Sequence, residues 1–323
     1  MVRVSDGKYL KFYNKLMELH EDEKNCNSRC GKPKPITVRH HAYQLRWLNE
    51  RIDFPENDVP SCEDVMKYLN SAKLPLNRKK NIICALKVWH RAHGNQKCCE
   101  QYAKPLVECN RECEAITMKQ ERTNRQAKNW VEYDIIKNFT KDLTKEVFGF
   151  NKNNFWVQEQ FIKAQLAFIL NFHLKNPIRR ELCTVTWGQE QEGNYIDEKK
   201  KIIRFENHKV KKHMGPVDLK LNRDQWRLWR LLRIQQKKRG IHNGSILLSK
   251  FWQPMTGNGF TGWFQNVMRF YCEGCKGKNF GIMLLRHVVI THQRRNEPSA
   301  LAKQQFAKKC LHSAAMNEKY RIN

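Results

Sequence analysis

Arg286 stands in the run LLRHVVITH, with Leu284 and Leu285 before it and Val288, Val289 and Ile290 after it. An arginine in so apolar a helical run is costly to bury unless an anion or a carboxylate meets its guanidinium. The fold must therefore bring a partner to that charge. Further on, the segment CLHSAAMNEKY sets His312 eight residues before Tyr320.

Composition indicates what kind of partner to expect. At 323 residues the chain is long enough for two domains, and 40% hydrophobic residues, with 16 Phe and 9 Trp, supply their cores. Its 60 Lys and Arg outnumber 32 Asp and Glu, a net charge of +28. Such a surplus repels itself unless a polyanion neutralises it, so nucleic acid leads as partner and an anionic membrane follows. No apolar run approaches the roughly 20 residues that span a bilayer. The opening MVRVSDGKYLKFYNK lacks the apolar segment of a signal peptide. The expectation is an intracellular protein with no membrane partner, and its 12 cysteines read as reduced thiols. Their close spacings, Cys26 with Cys30 and CEGC at Cys272 and Cys275, suggest zinc sites only weakly. His90, His93, Cys98, Cys99, Cys109 and Cys113 offer enough ligands for one structural zinc. No catalytic metal is expected.

Residues 1–35 read as an N-terminal arm or short helix, closed by Gly31, Pro33 and Pro35. A helical domain is expected over 36–114. Ala42, Leu45, Leu48 and Ile52 recur at helical spacing, and Pro55 and Pro60 end that helix. Ser61 with Asp64 caps the next one. Asn77 opens a third, with Ile82, Leu86 and Trp89 on one side and Gly94 as its stop. Three or four such helices with basic outer faces suit the backbone of a duplex, through Arg78, Lys79, Lys80, Lys87 and Arg91. Residues 115–128, with Arg125 and Lys128, read as a linker along the DNA. A second domain follows over 129–323, with a helix over 129–143 and a long buried one over 155–173.

Pro177 ends that buried helix, and Arg179 and Arg180 precede a new helix expected from Glu181. Turn arginines beside a helix start suit a phosphate. A surface ion pair with Glu181 suits Arg180 better than Arg179. Ile202, Ile203 and Phe205, then Val217, Leu219 and Leu221, alternate as an antiparallel hairpin whose turn carries Lys209, Lys211, Lys212 and His213. From Asp224 a Trp- and Arg-rich helix has Leu228, Leu231, Leu232 and Ile234 as core.

From about residue 128 onward, this order of residues resembles the tyrosine site-specific recombinases, with an LRH…T stretch, a His-Ser pair and a closing tyrosine. In pattern it is most similar to crypton-type and large-virus eukaryotic members. The resemblance implies a mainly α fold with a small antiparallel β-sheet, an α+β catalytic domain behind a helical core-binding domain. It implies catalytic roles for Arg179, with Arg180 as fallback, and for Lys209 in its His208-Lys209-Val210 context. Arg286, His312 and the nucleophile Tyr320 complete the set. Most family members carry His or Lys three residues before the arginine where this chain has Met283, and His287 and His292 are the neighbours able to compensate.

The resemblance implies DNA strand exchange through a 3′-phosphotyrosine without a cofactor. It also implies double-stranded DNA as partner, a dimer on each site and a tetramer across two sites, in the nucleus of a eukaryotic host. The competing readings are a domesticated DNA-binding or chromatin factor, motivated by Met283, a type IB topoisomerase, and an RNA-binding structural protein.

Overall fold

Helices of the first half close on one another through apolar faces spaced at three and four residues. The computed structural model describes residues 7–21, 35–52, 61–187, 193–242, 244–295, 299–312, 316 and 319–322. Cys26, Cys30, Gly31, Pro33, Pro55, Pro60 and Ser313 lie outside the described residues. The chain divides into two compact units, Met1–Lys119 and Gln120–Asn323.

In the first unit the helices are α1 (Gly7–Glu21), α2 (Pro35–Ile52), α3 (Cys62–Ser71), α4 (Leu76–Ala92), α5 (Gln96–Gln101) and α6 (Ala103–Met118). Phe12, Leu45, Leu48, Leu69, Ile82 and Leu86 meet in the core, and Phe12 touches Trp89 edge-on at 5.0 Å. Ser61 caps α3: its Oγ accepts the Asp64 N–H at 3.1 Å and donates to the Asp64 carboxylate at 2.7 Å. Gly94 follows α4 with φ 67°, a left-handed turn that glycine takes without strain.

Helices α5 and α6 go beyond the three or four expected. Among the residues of α6 only Cys109 is buried, so its sequence carries little apolar periodicity. In this stretch His90 stacks on Tyr102 at 5.5 Å, and the Cys113 thiol donates to Asn77 Oδ1 at 3.4 Å. Among the described residues no three His, Cys, Asp or Glu side chains stand together as a metal ion requires. Nor, among them, is any helix long and apolar enough to cross a membrane.

The stretch 115–128 is helical at both ends, since α6 reaches Met118 and α7 (Asn124–Asn129) begins the second unit's helices. The helix expected from residue 129 starts later, as α8 (Tyr133–Phe148). Asn129 ends α7 by donating back to the Arg125 carbonyl at 2.7 Å, and Trp130 then turns extended. Helix α9 (Gln158–Lys175) runs through the middle of the unit, with residues 164–170 all buried. Gln165 is tolerated there because it bonds both main-chain groups of Leu248, at 2.7 and 3.1 Å.

Four short strands form the sheet: β1 (Thr186–Trp187), β2 (Tyr195–Asp197), β3 (Ile202–Phe205) and β4 (Val217–Lys220), in the order β1-β2-β3-β4. The expected hairpin is β3 with β4, where Ile203, Phe205, Val217 and Leu219 face the core. A short helix, α10 (Lys211–Met214), lies in its connection. The sheet is mixed rather than antiparallel, because β1 pairs with β2 in parallel. Segment 244–246 fixes the direction of β1 from its other side: Trp187 N–H donates to the Gly244 carbonyl at 2.6 Å, and Ile246 N–H to that of Val185 at 3.1 Å. The remaining helices are α11 (Arg223–Lys238), α12 (Gly257–Tyr271), α13 (Ile282–Arg295) and α14 (Ala300–Lys309).

Candidate active site

Pro177 stops α9, and the buried Ile178 anchors the turn that presents Arg179. His173, in the last turn of α9, lies between two carbonyls: its Nδ1 is 2.8 Å from Ile169 O and its Nε2 3.3 Å from Arg179 O. Burial pushes its pKa down to about 4. With one N–H, the neutral ring donates to one of these carbonyls and packs against the other, so it lies beneath the turn that carries Arg179. The sequence hides that place, since a lone His at the end of an apolar helix looks like core.

The helix expected from Glu181 is only a 3-10 turn, Glu181–Thr184, before β1 begins. It offers no helix N-terminus to an anion. Arg180 points elsewhere, donating to Asn258 Oδ1 at 2.9 Å, so the ion pair expected with Glu181 is not formed.

Arg286 lies on α13 and is 0% exposed. Its Nη2 donates to the Cys310 carbonyl at 3.0 Å and meets the His312 ring, with Nδ1 at 2.7 Å and Nε2 at 2.5 Å. The carboxylate that would balance a buried guanidinium does not bond it, and Nε and Nη1 are buried without a hydrogen-bond partner. Burial lowers the Arg286 pKa to about 10.

A guanidinium only donates, so the His312 nitrogen facing it accepts and the ring is neutral. The pKa of His312 falls to about 2, through burial first and then through the charges of Arg286, Arg179 and Lys209. His312 is aimed by the end of α14, where its N–H donates to Ala307 O and Leu311 N–H to Lys308 O, both at 3.0 Å. Leu311 turns left-handed there, at φ 52°. A residue with a Cβ is strained in that conformation.

Tyr320 completes the group. Its hydroxyl accepts from Arg179 Nη2 at 3.2 Å, and the Arg286 Cζ lies 4.7 Å from its ring centre. His312 and His287 flank the ring, at 4.8 and 4.9 Å between centroids. The backbone is held on both sides: His287 Nδ1 donates to the Tyr320 carbonyl at 3.0 Å, and Ile322 N–H donates to Thr291 Oγ1 at 3.0 Å. Thus α13 carries both the buried arginine and the groups that seat the tyrosine segment. Thr291 stands in the sequence as the Thr of the LRH…T stretch, without a sign of this seating role, and His173 only as the end of a buried helix.

Lys209 lies exposed between β3 and β4, where its charge acts on His312. Met283 is 40% exposed in the first turn of α13. It lines a cleft of about 330 Å³ with Arg125, Gln265 and His287. His287 is committed to the Tyr320 carbonyl, and His292 stacks on Tyr133 at 3.6 Å. Of the expected DNA contacts, Arg125 and Lys128 are exposed on α7, and Arg91 is exposed at the end of α4. Lys80 and Lys87 are half-buried, and Lys79 reaches Asn70 Oδ1 at 3.4 Å. Arg78 stacks on Trp47 at 4.2 Å, with Nε and Nη2 buried.

Solved structures share this architecture along nearly the whole chain. A Tn1549 transposon integrase in complex with circular intermediate DNA superposes with TM-score 0.56 at 14% identity, covering 95% of each chain. The chain has the tyrosine-recombinase fold. A lambda integrase dimer bound to a COC′ core site gives TM-score 0.54 at 12% identity, over 96% of this chain and 76% of that one. The XerH site-specific recombinase bound to difH substrate gives 0.53 at 12% identity, over 95% and 81%. No protein-family model and no curated protein matches the chain.

Proposed function

We propose that the protein is a site-specific recombinase or integrase of a mobile element or virus, acting on duplex DNA in the nucleus of a eukaryotic host. The observation that carries this reading is the buried Arg286 guanidinium, with two donors unmet, under the ring of a tyrosine whose hydroxyl is held by Arg179. A phosphodiester supplies the oxygens those donors lack. Arg179 and Arg286 neutralise its non-bridging oxygens and neutral His312 orients one of them through its N–H, which eases the approach of a nucleophile. Tyr320 Oη then forms the new P–O bond while the 5′ oxygen leaves with a proton from Lys209. The products are a 3′-phosphotyrosine and a free 5′-hydroxyl, and the reverse attack by a second strand's hydroxyl rejoins the DNA. Met283 carries no group to take the tyrosine proton, so that proton leaves through water. Exchange between two sites calls for a dimer on each and a tetramer overall.

The test is trapping on a nicked duplex library, in which loss of the short product strand preserves the adduct. Wild type is expected to form a covalent protein–DNA species and Tyr320→Phe none. An adduct that survives in Tyr320→Phe removes this nucleophile. Met283 favours a second reading, a domesticated factor that binds duplex without cutting it. Salt-sensitive duplex binding by wild type, with no adduct on any nicked substrate, would establish that alternative.

A further inference from the structure

The sheet ends at β4, whose outer side has no partner strand among the described residues. Leu221 donates its N–H to Lys201 O at 2.9 Å. By the alternation of an antiparallel pair, Val217 and Leu219 then face β3, while Asp218 and Lys220 turn their N–H and C=O groups outward. None of those four main-chain groups is hydrogen-bonded to another described residue.

A cleft of about 680 Å³ lies against this strand and reaches across to α14. Asp218, Leu219 and Lys220 all line it. Successive strand residues point to opposite faces, so a cleft touching all three runs along the strand's edge. Lys175, Lys220, Lys308 and Lys309 surround it, and the apolar Phe306 contributes to its wall. Its one carboxylate, Asp218, is already engaged by Arg204 Nη1 at 3.4 Å. The four ammonium groups meet no carboxylate among the described residues.

We propose that β4 accepts a fifth strand from an acidic, extended segment of a partner protein. Main-chain bonds at Asp218 and Lys220 would set its register, and the four lysines would meet its carboxylates. The four lysines call for an acidic strand, and a chain with 60 Lys and Arg against 32 Asp and Glu is the poorer source of one. Duplex DNA would satisfy the lysines and its phosphates could accept from the two N–H groups, but its backbone has no donors for the two outward carbonyls. This inference stands apart from the strand-exchange reading, because it is measured by binding alone.

The probe is a fluorescein-labelled peptide of alternating Glu and Val, compared with the same peptide N-methylated at alternate amides. Anisotropy with the full chain is expected to show binding of the first and about tenfold weaker binding of the second. Lys220→Pro removes an outward N–H without touching the β3 ladder, and Lys220→Ala controls for the lost charge. The proline variant is expected to bind the plain peptide about tenfold more weakly than the alanine variant, and Lys308→Glu with Lys309→Glu to weaken it similarly. Equal binding of the two peptides, equal binding by the Pro and Ala variants, or no peptide binding while duplex DNA shields Lys308 and Lys309 from acylation would each overturn the proposal.

Discussion

Lysine at position 286 would keep the charge and lose the fork. Arg286 gives Nη2 to Cys310 and His312 and holds Nε and Nη1 ready, an arrangement a single ammonium does not reproduce. Arg286→Lys is expected to slow adduct formation about 100- to 1,000-fold in single-turnover trapping. The histidines act on stability. His312 and His173, with pKa values of about 2 and about 4 in the folded protein, stay neutral there. In the unfolded chain they take up protons below the ordinary value of about 6.5. The unfolded state therefore binds more protons, and stability falls as pH drops through that value. Between about pH 7.5 and about pH 5.5 these two residues together remove about 2–3 kcal/mol. Urea melts at the two pH values should show a smaller difference for His312→Asn than for wild type. At this scale the sequence marks Arg286, because a charge in an apolar run demands an explanation. It prefers Arg179 to Arg180 through the resemblance and an expected ion pair of Arg180 with Glu181, whereas in the structure Asn258, far along the chain, is what engages Arg180.

Helix α13 is the element on which the site depends. Thr291→Val keeps its shape and removes the oxygen that receives Ile322 N–H, leaving a buried amide unpaired. The expected result is adduct formation slowed about tenfold and the melting of the unit lowered by about 2–6 °C, as read by trapping and circular dichroism. The alternation of Ile203, Phe205, Val217 and Leu219 made the hairpin legible, and an unbroken apolar run did the same for α9. Strand β1 was not legible. Its two residues carry no period, and its direction is imposed by residues 244–246. The turn at Glu181–Thr184 misled for a related reason: a polar residue after Pro177 reads as a helix start, but the chain is drawn at once into the sheet.

For the whole molecule, +28 over 323 residues means that association with duplex DNA should be governed by displaced counterions. If about 6–10 phosphates are met, affinity should fall about 10³- to 10⁵-fold between about 50 and 200 mM salt. Fluorescence anisotropy on a labelled duplex measures that slope, and a flat profile would remove DNA as the partner that balances the charge. The two units part between Lys119 and Gln120, inside the polar stretch 115–128 expected as a linker, whereas α5 and α6 were hidden by their largely exposed surfaces. The seating of the last described residues on α13 bears on reversibility. With main-chain anchors at His287 and Thr291, the phenol can swing about its own torsions while its Cα stays fixed. A strand joined to Tyr320 would then remain beside the same two arginines, and resealing would need no second search.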